Sequence, residues 1–192
     1  MMNITKSPDT IHSIHPLIQK RWSPRAFSEK AISDEALGQL FEAARWAASA
    51  FNEQPWQYVY AKRGTKGFEQ LLDCLVVGNQ AWAKSAPVLM ATMVKRNLSQ
   101  TGQPNHWATH DLGLANAQLL LQAADLDIYG HMMAGFDKDK LVATLELNNS
   151  IQPVCMMALG YLGEAEQLEE PYLSKEVAPR NRKSITSFTK VL

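Results

Sequence analysis

Between His106 and Leu126, apolar side chains recur around most of a helix. Leu112, Ala115, Leu119 and Leu126 mark one face, and Leu114, Ala117, Leu120 and Leu121 widen it. A helix apolar on so many sides must be buried on several of them, inside one domain or between subunits. The rest of the chain offers the surfaces it needs. Pro87–Val94 and Pro153–Leu162 are continuous apolar runs that read as buried strands. Trp56–Lys62 is rich in β-favouring aromatics, and Ile128–Met133 reads as a further short strand. Ser33–Ala48 reads as an amphipathic helix with Ser33 as N-cap, Asp34 and Glu35 in its first turn, and Leu37, Leu40, Phe41, Ala44 and Ala47 on one face. Gly67–Leu75 and Lys138–Leu147 have helical patterns. Thr10–Lys20 has helical spacing limited by Pro16. Gly78–Lys84 reads as a polar break, Asn97–Asn105 as a surface excursion or lid, and the chain from Gly163 as a polar arm.

A chain of 192 residues without internal repeats suits one domain. Lys plus Arg number 19 and so do Asp plus Glu, with no block of like charge, which argues against nucleic acid or an anionic membrane as partner. No stretch approaches the roughly 18 uninterrupted apolar residues of a membrane span. Residues 1–16 hold no apolar signal-peptide core, so a cytoplasmic location is expected. Cys74 and Cys155 each lie in an apolar run and read as reduced structural thiols.

Several segments carry chemistry. Arg21-Trp22-Ser23-Pro24-Arg25 is either a solvated turn or a phosphate clamp, since the arginine fork matches phosphate oxygens and Ser23 adds a hydroxyl. Ala47–Trp56 is either a plain helix-to-strand turn or a loop whose Ser49, Asn52 and Gln54 read the edge of a flat heterocycle. Pro55 stiffens it and biases Gln54 toward an extended backbone. Asn79 offers an amide, and Gly135 lets the backbone approach a ligand closely. Arg180, Arg182 and Lys183 form a basic cluster that is a solvated tail or an anion site. His106 and His110 stand four apart but find no third ligand at a recognisable spacing, so no metal is expected. There is no G-x-G-x-x-G, P-loop or nucleophile elbow, so any phosphate would have to be held by separate arginines.

Taken in order, Arg21-x-Ser23-x-Arg25, the segment Ala48 to Trp56, Asn79, Gly135-Phe136-Asp137 and Arg180-x-Arg182 resemble the nitroreductase family of FMN-dependent oxidoreductases, over about Ile14 to Phe188. The resemblance implies an α+β fold with a central, mainly antiparallel sheet flanked by helices. It implies a single domain over 1–192, whose arm from about residue 163 packs on the partner of a homodimer. FMN would sit at the dimer interface, with NADH or NADPH as donor. Arg21, Ser23, Arg180 and Arg182 would hold the phosphate and ribityl end, with Trp22 between the first two. Arg25 would face the pyrimidine edge, Asn79 would bond the ring system, and Ala134 and Gly135 would offer backbone donors near flavin N5. Ser49, Ala50 and Asn52 would come from the other subunit. No side chain need act as acid, base or nucleophile, because hydride passes through the flavin to nitroaromatics or quinones in ping-pong fashion. Alternatives on the same scaffold are reduction of enones, aldehydes or halogenated aromatics, or flavin sequestration without turnover. Ala48, Ala50, Trp22, Trp82 and Ala134 depart from the commoner family pattern and bear on substrate preference.

Overall fold

The computed structural model describes residues 6–192. In chain order its elements are α1 (Pro16–Lys20), α2 (Asp34–Arg45), β1 (Trp56–Lys62), α3 (Lys66–Asp73), α4 (Val77–Ala83), β2 (Val88–Lys95), α5 (Ala108–Asp125), β3 (Ile128–Met133), α6 (Lys138–Thr144), β4 (Ile151–Tyr161) and α7 (Tyr172–Val177). The strands form one sheet in the order β1-β2-β4-β3, with antiparallel pairing throughout the described residues. The expected α+β architecture with an antiparallel sheet flanked by helices is therefore present.

The two central strands explain the continuous apolar runs, because both of their faces are buried. Along β2, Val88 and Met90 join a core with Leu37 and Leu40 of α2 and Leu119 and Ala123 of α5. The alternate residues Leu89 and Ala91 join a second core with Phe68 and Leu71 of α3, Trp82 of α4 and Leu141 of α6. β4 divides in the same way, Met157 and Leu159 to the first core, Met156 and Ala158 to the second. A side chain changes face at each residue, so a strand buried on both sides shows no polar alternation. The long helix α5 meets this sheet on one side, with Leu112, Ala115 and Leu119 fully buried, while Leu114 stays 38% exposed.

Local signals hold where they were readable. Ser33 Oγ accepts from Ala36 N at 3.1 Å at the start of α2. Thr65 caps α3, and Asp137 caps α6 through Lys140 N. Three expectations change. Gly78–Lys84 is mostly helix, because α4 is set by tertiary contacts and has no side-chain cap. Trp82 and Ala83 are buried, Gln80 Nε2 donates to Leu75 O, and the Tyr172 hydroxyl donates to Gly78 O. The N-terminal helix is only Pro16–Lys20, started by Pro16 and capped by His15. Gln54 has a φ of +49° where an extended backbone was expected. Its N–H donates to Ser49 Oγ and its amide to the Asn52 carbonyl, and these local bonds hold the left-handed turn.

The excursion after β2 is a short turn closed by pairing of Asn97 with Pro104 and by Ser99 N donating to Glu53 Oε1. Beyond Gly163 the chain first packs on the body of the same chain. Ala165 and Leu168 are buried, and Gln167 Nε2 donates to Phe27 O. Residues 181–192 are exposed along their whole length. Both cysteines are free. No helix among the described residues is long and apolar enough to cross a membrane.

Candidate functional site

The two basic clusters, more than 150 positions apart in sequence, line one cavity of about 270 Å³. Arg21, Trp22 and Ser23 enter from the segment after α1, and Arg180, Asn181 and Arg182 from the segment after α7. Lys6 and Lys175, neither foreseen from sequence, add two further cations to the lining, and no carboxylate side chain is part of it. Burial, and then the neighbouring Arg182 charge, pull the Arg21 guanidinium below its ordinary pKa. Burial and the charges of Arg21 and Arg182 do the same to Arg180. Cations pressed together in this way are stabilised by a bound anion, and a phosphate dianion has the right charge and several acceptor oxygens.

The arginines have different tasks. Arg180 is the fastener: its guanidinium donates to the carbonyls of Lys6 and Arg21, each at 3.0 Å, and to that of Gln19. A rigid planar fork of five N–H donors reaches carbonyls spaced too widely for the three donors of a compact ammonium. Arg180 thereby ties the end of the chain to its beginning. Arg182 reaches only the adjacent Asn181 carbonyl, so most of its donors stay available. Trp22 is 7% exposed, meets Tyr129 edge-on at 6.3 Å and lies under the Lys6 ammonium at 4.8 Å. It is a wall and anchor of the cavity, while Ser23 beside it is exposed.

Past the cavity, the backbone of Ser23–Ala26 is gripped from two sides by residues that local sequence did not single out. His131 Nδ1 lies 2.9 Å from Pro24 O. A carbonyl only accepts, so the imidazole carries its proton on Nδ1. Burial, opposed by the Pro24 bond and assisted by the Arg25 charge, lowers the His131 pKa to about 4. On the other side Glu176, 2% exposed, accepts from Arg25 N and Ala26 N at 2.9 to 3.0 Å. Trp82 lies 4.6 Å from the His131 ring, and the Arg25 guanidinium stands 5.9 Å over the indole. Trp82 thus links Arg25 to α4, and α4 carries Asn79.

Asn79 and Gly135 also meet. Asn79 Nδ2 donates to Gly135 O at 2.9 Å, and Val76 N donates to the same carbonyl at 3.1 Å. This leaves the Asn79 carbonyl oxygen with no protein donor among the bonds of the described residues. Ala134, next to Gly135, is exposed. A Cβ at Gly135 would lie 2.8 Å from Asn79 Nδ2 and 2.9 Å from Val76 Cγ2. Gly135→Ala is accordingly expected to displace the Asn79 amide and to cost about 1–3 kcal/mol, as overpacking does. Urea unfolding checks this, and a wild-type midpoint with unchanged slope would show that the turn yields without loss.

Ser49, Ala50 and Asn52 line no part of this cavity. Their loop is anchored elsewhere, with Ala50 N donating at 3.0 Å to the buried Asp111 of α5. Phe51 and Asn52 both have φ of +56°, and Phe51 is 83% exposed. His110 bonds Asp111, and among the described residues no three His, Cys, Asp or Glu side chains converge as a metal site would require.

The site can be set beside known proteins. A profile of the Nitroreductase family matches residues 18–76 and 65–161. A solved structure of an oxidoreductase containing FMN superposes with a TM-score of 0.91 at 32% identity, covering 99% of this chain and 96% of that one. A nitroreductase family protein from Streptococcus pneumoniae TIGR4 shares the fold, with a TM-score of 0.74 at 21% identity over 92% of this chain and 98% of its own. A protein of Stutzerimonas stutzeri (strain A1501) named "Putative NADH dehydrogenase/NAD(P)H nitroreductase" is 26% identical over 182 residues, 85% of this chain and 92% of its own length.

Proposed function

We propose that this chain, which belongs to the nitroreductase family, binds FMN and works as an NAD(P)H-dependent reductase of small electron-poor acceptors such as nitroaromatics and quinones. The observation that carries the reading is the cavity in which Arg21, Arg180 and Arg182 converge without a carboxylate in the lining. Its volume suits the phosphate and ribityl end of a mononucleotide and is too small for the whole cofactor, since pockets enclosing drug-sized ligands run to roughly 300–1,000 Å³. The rings would then lie outside it, toward Arg25, Asn79 and Gly135. The likeness to an FMN-containing oxidoreductase at 32% identity supports the same cofactor.

When bound, FMN supplies two-electron transfer, with hydride arriving from NADH or NADPH and leaving to the acceptor in turn. The protein's part is binding and field. Arg21, Ser23 and Arg182 hold the phosphate end, and Arg180 keeps both chain segments in place. Arg25 brings positive charge to the pyrimidine edge, Asn79 offers its free carbonyl oxygen, and the backbone at Ala134–Gly135 borders the reacting face. Ser49, Ala50 and Asn52 serve a neighbouring protomer in a homodimer. The exposed Trp46, Phe51, Trp107 and Leu114 on and beside α2 and α5 support such an interface, because large exposed apolar side chains gain from being covered.

Purified protein is expected to be yellow and dimeric, to bleach with NADH or NADPH in the absence of oxygen, and to regain colour with a nitroaromatic or quinone. Colour without bleaching would instead identify a flavin-sequestering protein. A colourless preparation that takes up no added FMN would end the proposal.

A further inference from the structure

Glu176 is a buried carboxylate beside the site, and its surroundings explain why a carboxylate stands there. It sits in the last turn of α7, 2% exposed, and accepts from Arg25 N and Ala26 N. A glutamine oxygen could accept from those two N–H groups. A buried carboxylate is costly unless its charge has a partner, several kcal/mol per ion even after relaxation. The partner here is the Arg25 guanidinium, whose Nη1 lies 4.0 Å from Glu176 Oε2, with Arg25 itself 24% exposed at the side chain. The Glu176 charge also reaches Lys6, where it opposes the lowering of that ammonium's pKa by burial.

We propose that Glu176 is a positioning residue that sets both the place of Arg25 and the net positive charge Arg25 presents to the flavin pyrimidine. The inference rests on the FMN reading above. Reduced flavin bears a negative charge next to the position assigned to Arg25, so the cation there favours reduced over oxidised cofactor. The Glu176 carboxylate moderates that preference. Removing it leaves Arg25 uncompensated and should make the bound cofactor easier to reduce.

The test measures FMN affinity in both oxidation states, by fluorescence quenching for the oxidised form and by equilibration with reference dyes for the midpoint potential. In Glu176→Gln the ratio of oxidised to reduced dissociation constants is expected to rise about tenfold, which is about 30 mV for a two-electron couple. Arg25→Gln is expected to move the potential the opposite way. In the double variant the Glu176→Gln effect should largely vanish, because the residue acts through Arg25. The Arg25→Gln measurement stands by itself if Glu176→Gln does not fold, and an unmoved potential in that variant would overturn the proposal. A wild-type potential in Glu176→Gln, or the same shift with and without Arg25, would overturn it as well while leaving FMN binding intact. Wild-type protein that fails to bind FMN would overturn both the inference and the reading beneath it.

Discussion

Replacing Arg180 by alanine is expected to weaken FMN retention about a hundredfold, roughly 2.7 kcal/mol, and to release the chain beyond Ala178 from the body of the protein. Three backbone carbonyls, those of Lys6, Gln19 and Arg21, lose their donor together. Hydrogen bonds to a charged group are worth about 1.5–3 kcal/mol each, though not additively. Part of the loss falls on affinity because Arg21, a wall of the cavity, is held through its own carbonyl. The rest should appear as faster proteolysis after residue 178. Arg180→Lys keeps the charge but not the fork, and should recover little of either property. Arg182→Ala is the contrast: its guanidinium holds only the neighbouring Asn181 carbonyl. It should cost roughly tenfold in affinity, about 1.4 kcal/mol, with unchanged susceptibility to protease. Fluorescence titration and limited digestion separate these outcomes. Wild-type behaviour of Arg180→Lys would mean that a point charge suffices and that the stitched geometry matters little.

A second large effect is expected in acid. The unfolded His131 side chain takes up its proton near pH 6.5, the folded one only near pH 4. Between those values the unfolded state binds the extra proton, so stability is fully present above about pH 6.5 and falls as the pH is lowered to about 4. At about 1.4 kcal/mol per pH unit the loss is on the order of 3 kcal/mol. Below the folded value the loss levels off, because both states are then protonated. His131→Gln keeps an N–H donor for the Pro24 carbonyl and removes the titration. Its stability profile, from urea unfolding at a series of pH values, should be flatter than the wild type over the same window. Parallel profiles would assign the acid sensitivity to carboxylates instead. Protonation of the folded chain puts a second cation beside Arg25 and Trp82, so flavin affinity is expected to change near pH 4, at the acid end of the window and not across it.

Much of the architecture was readable residue by residue. Ser33, Asp34 and Glu35 start a helix with a hydroxyl cap and acidic first turn, and α2 begins there. The doubly apolar runs became the two central strands because a side chain at each position meets a core on one face or the other. Failures came where local chemistry was silent or outweighed. α4 has no side-chain cap and begins Val-Gly-Asn-Gln, and it is held by Tyr172, Gly135 and the buried Trp82. Gln54 adopts a left-handed backbone because Ser49 and Asn52 receive its donors.

Arginine at 21, 25, 180 and 182 was conspicuous in the sequence, and so was the small residue at 135 that admits the Asn79 amide. The order of these segments carried the family resemblance, and it was the resemblance that implied the fold and joined the two ends of the chain in one anion site. Folding alone decided which arginine fastens and which stays free, and it recruited Glu176, His131, Lys6 and Lys175, none of which stands in a recognisable motif. The physical reason is separation. Helix caps and apolar periods act over a few residues, whereas an Arg25–Glu176 contact spans 151 positions and exists only once the strands have paired and α7 has met the Ser23–Ala26 segment.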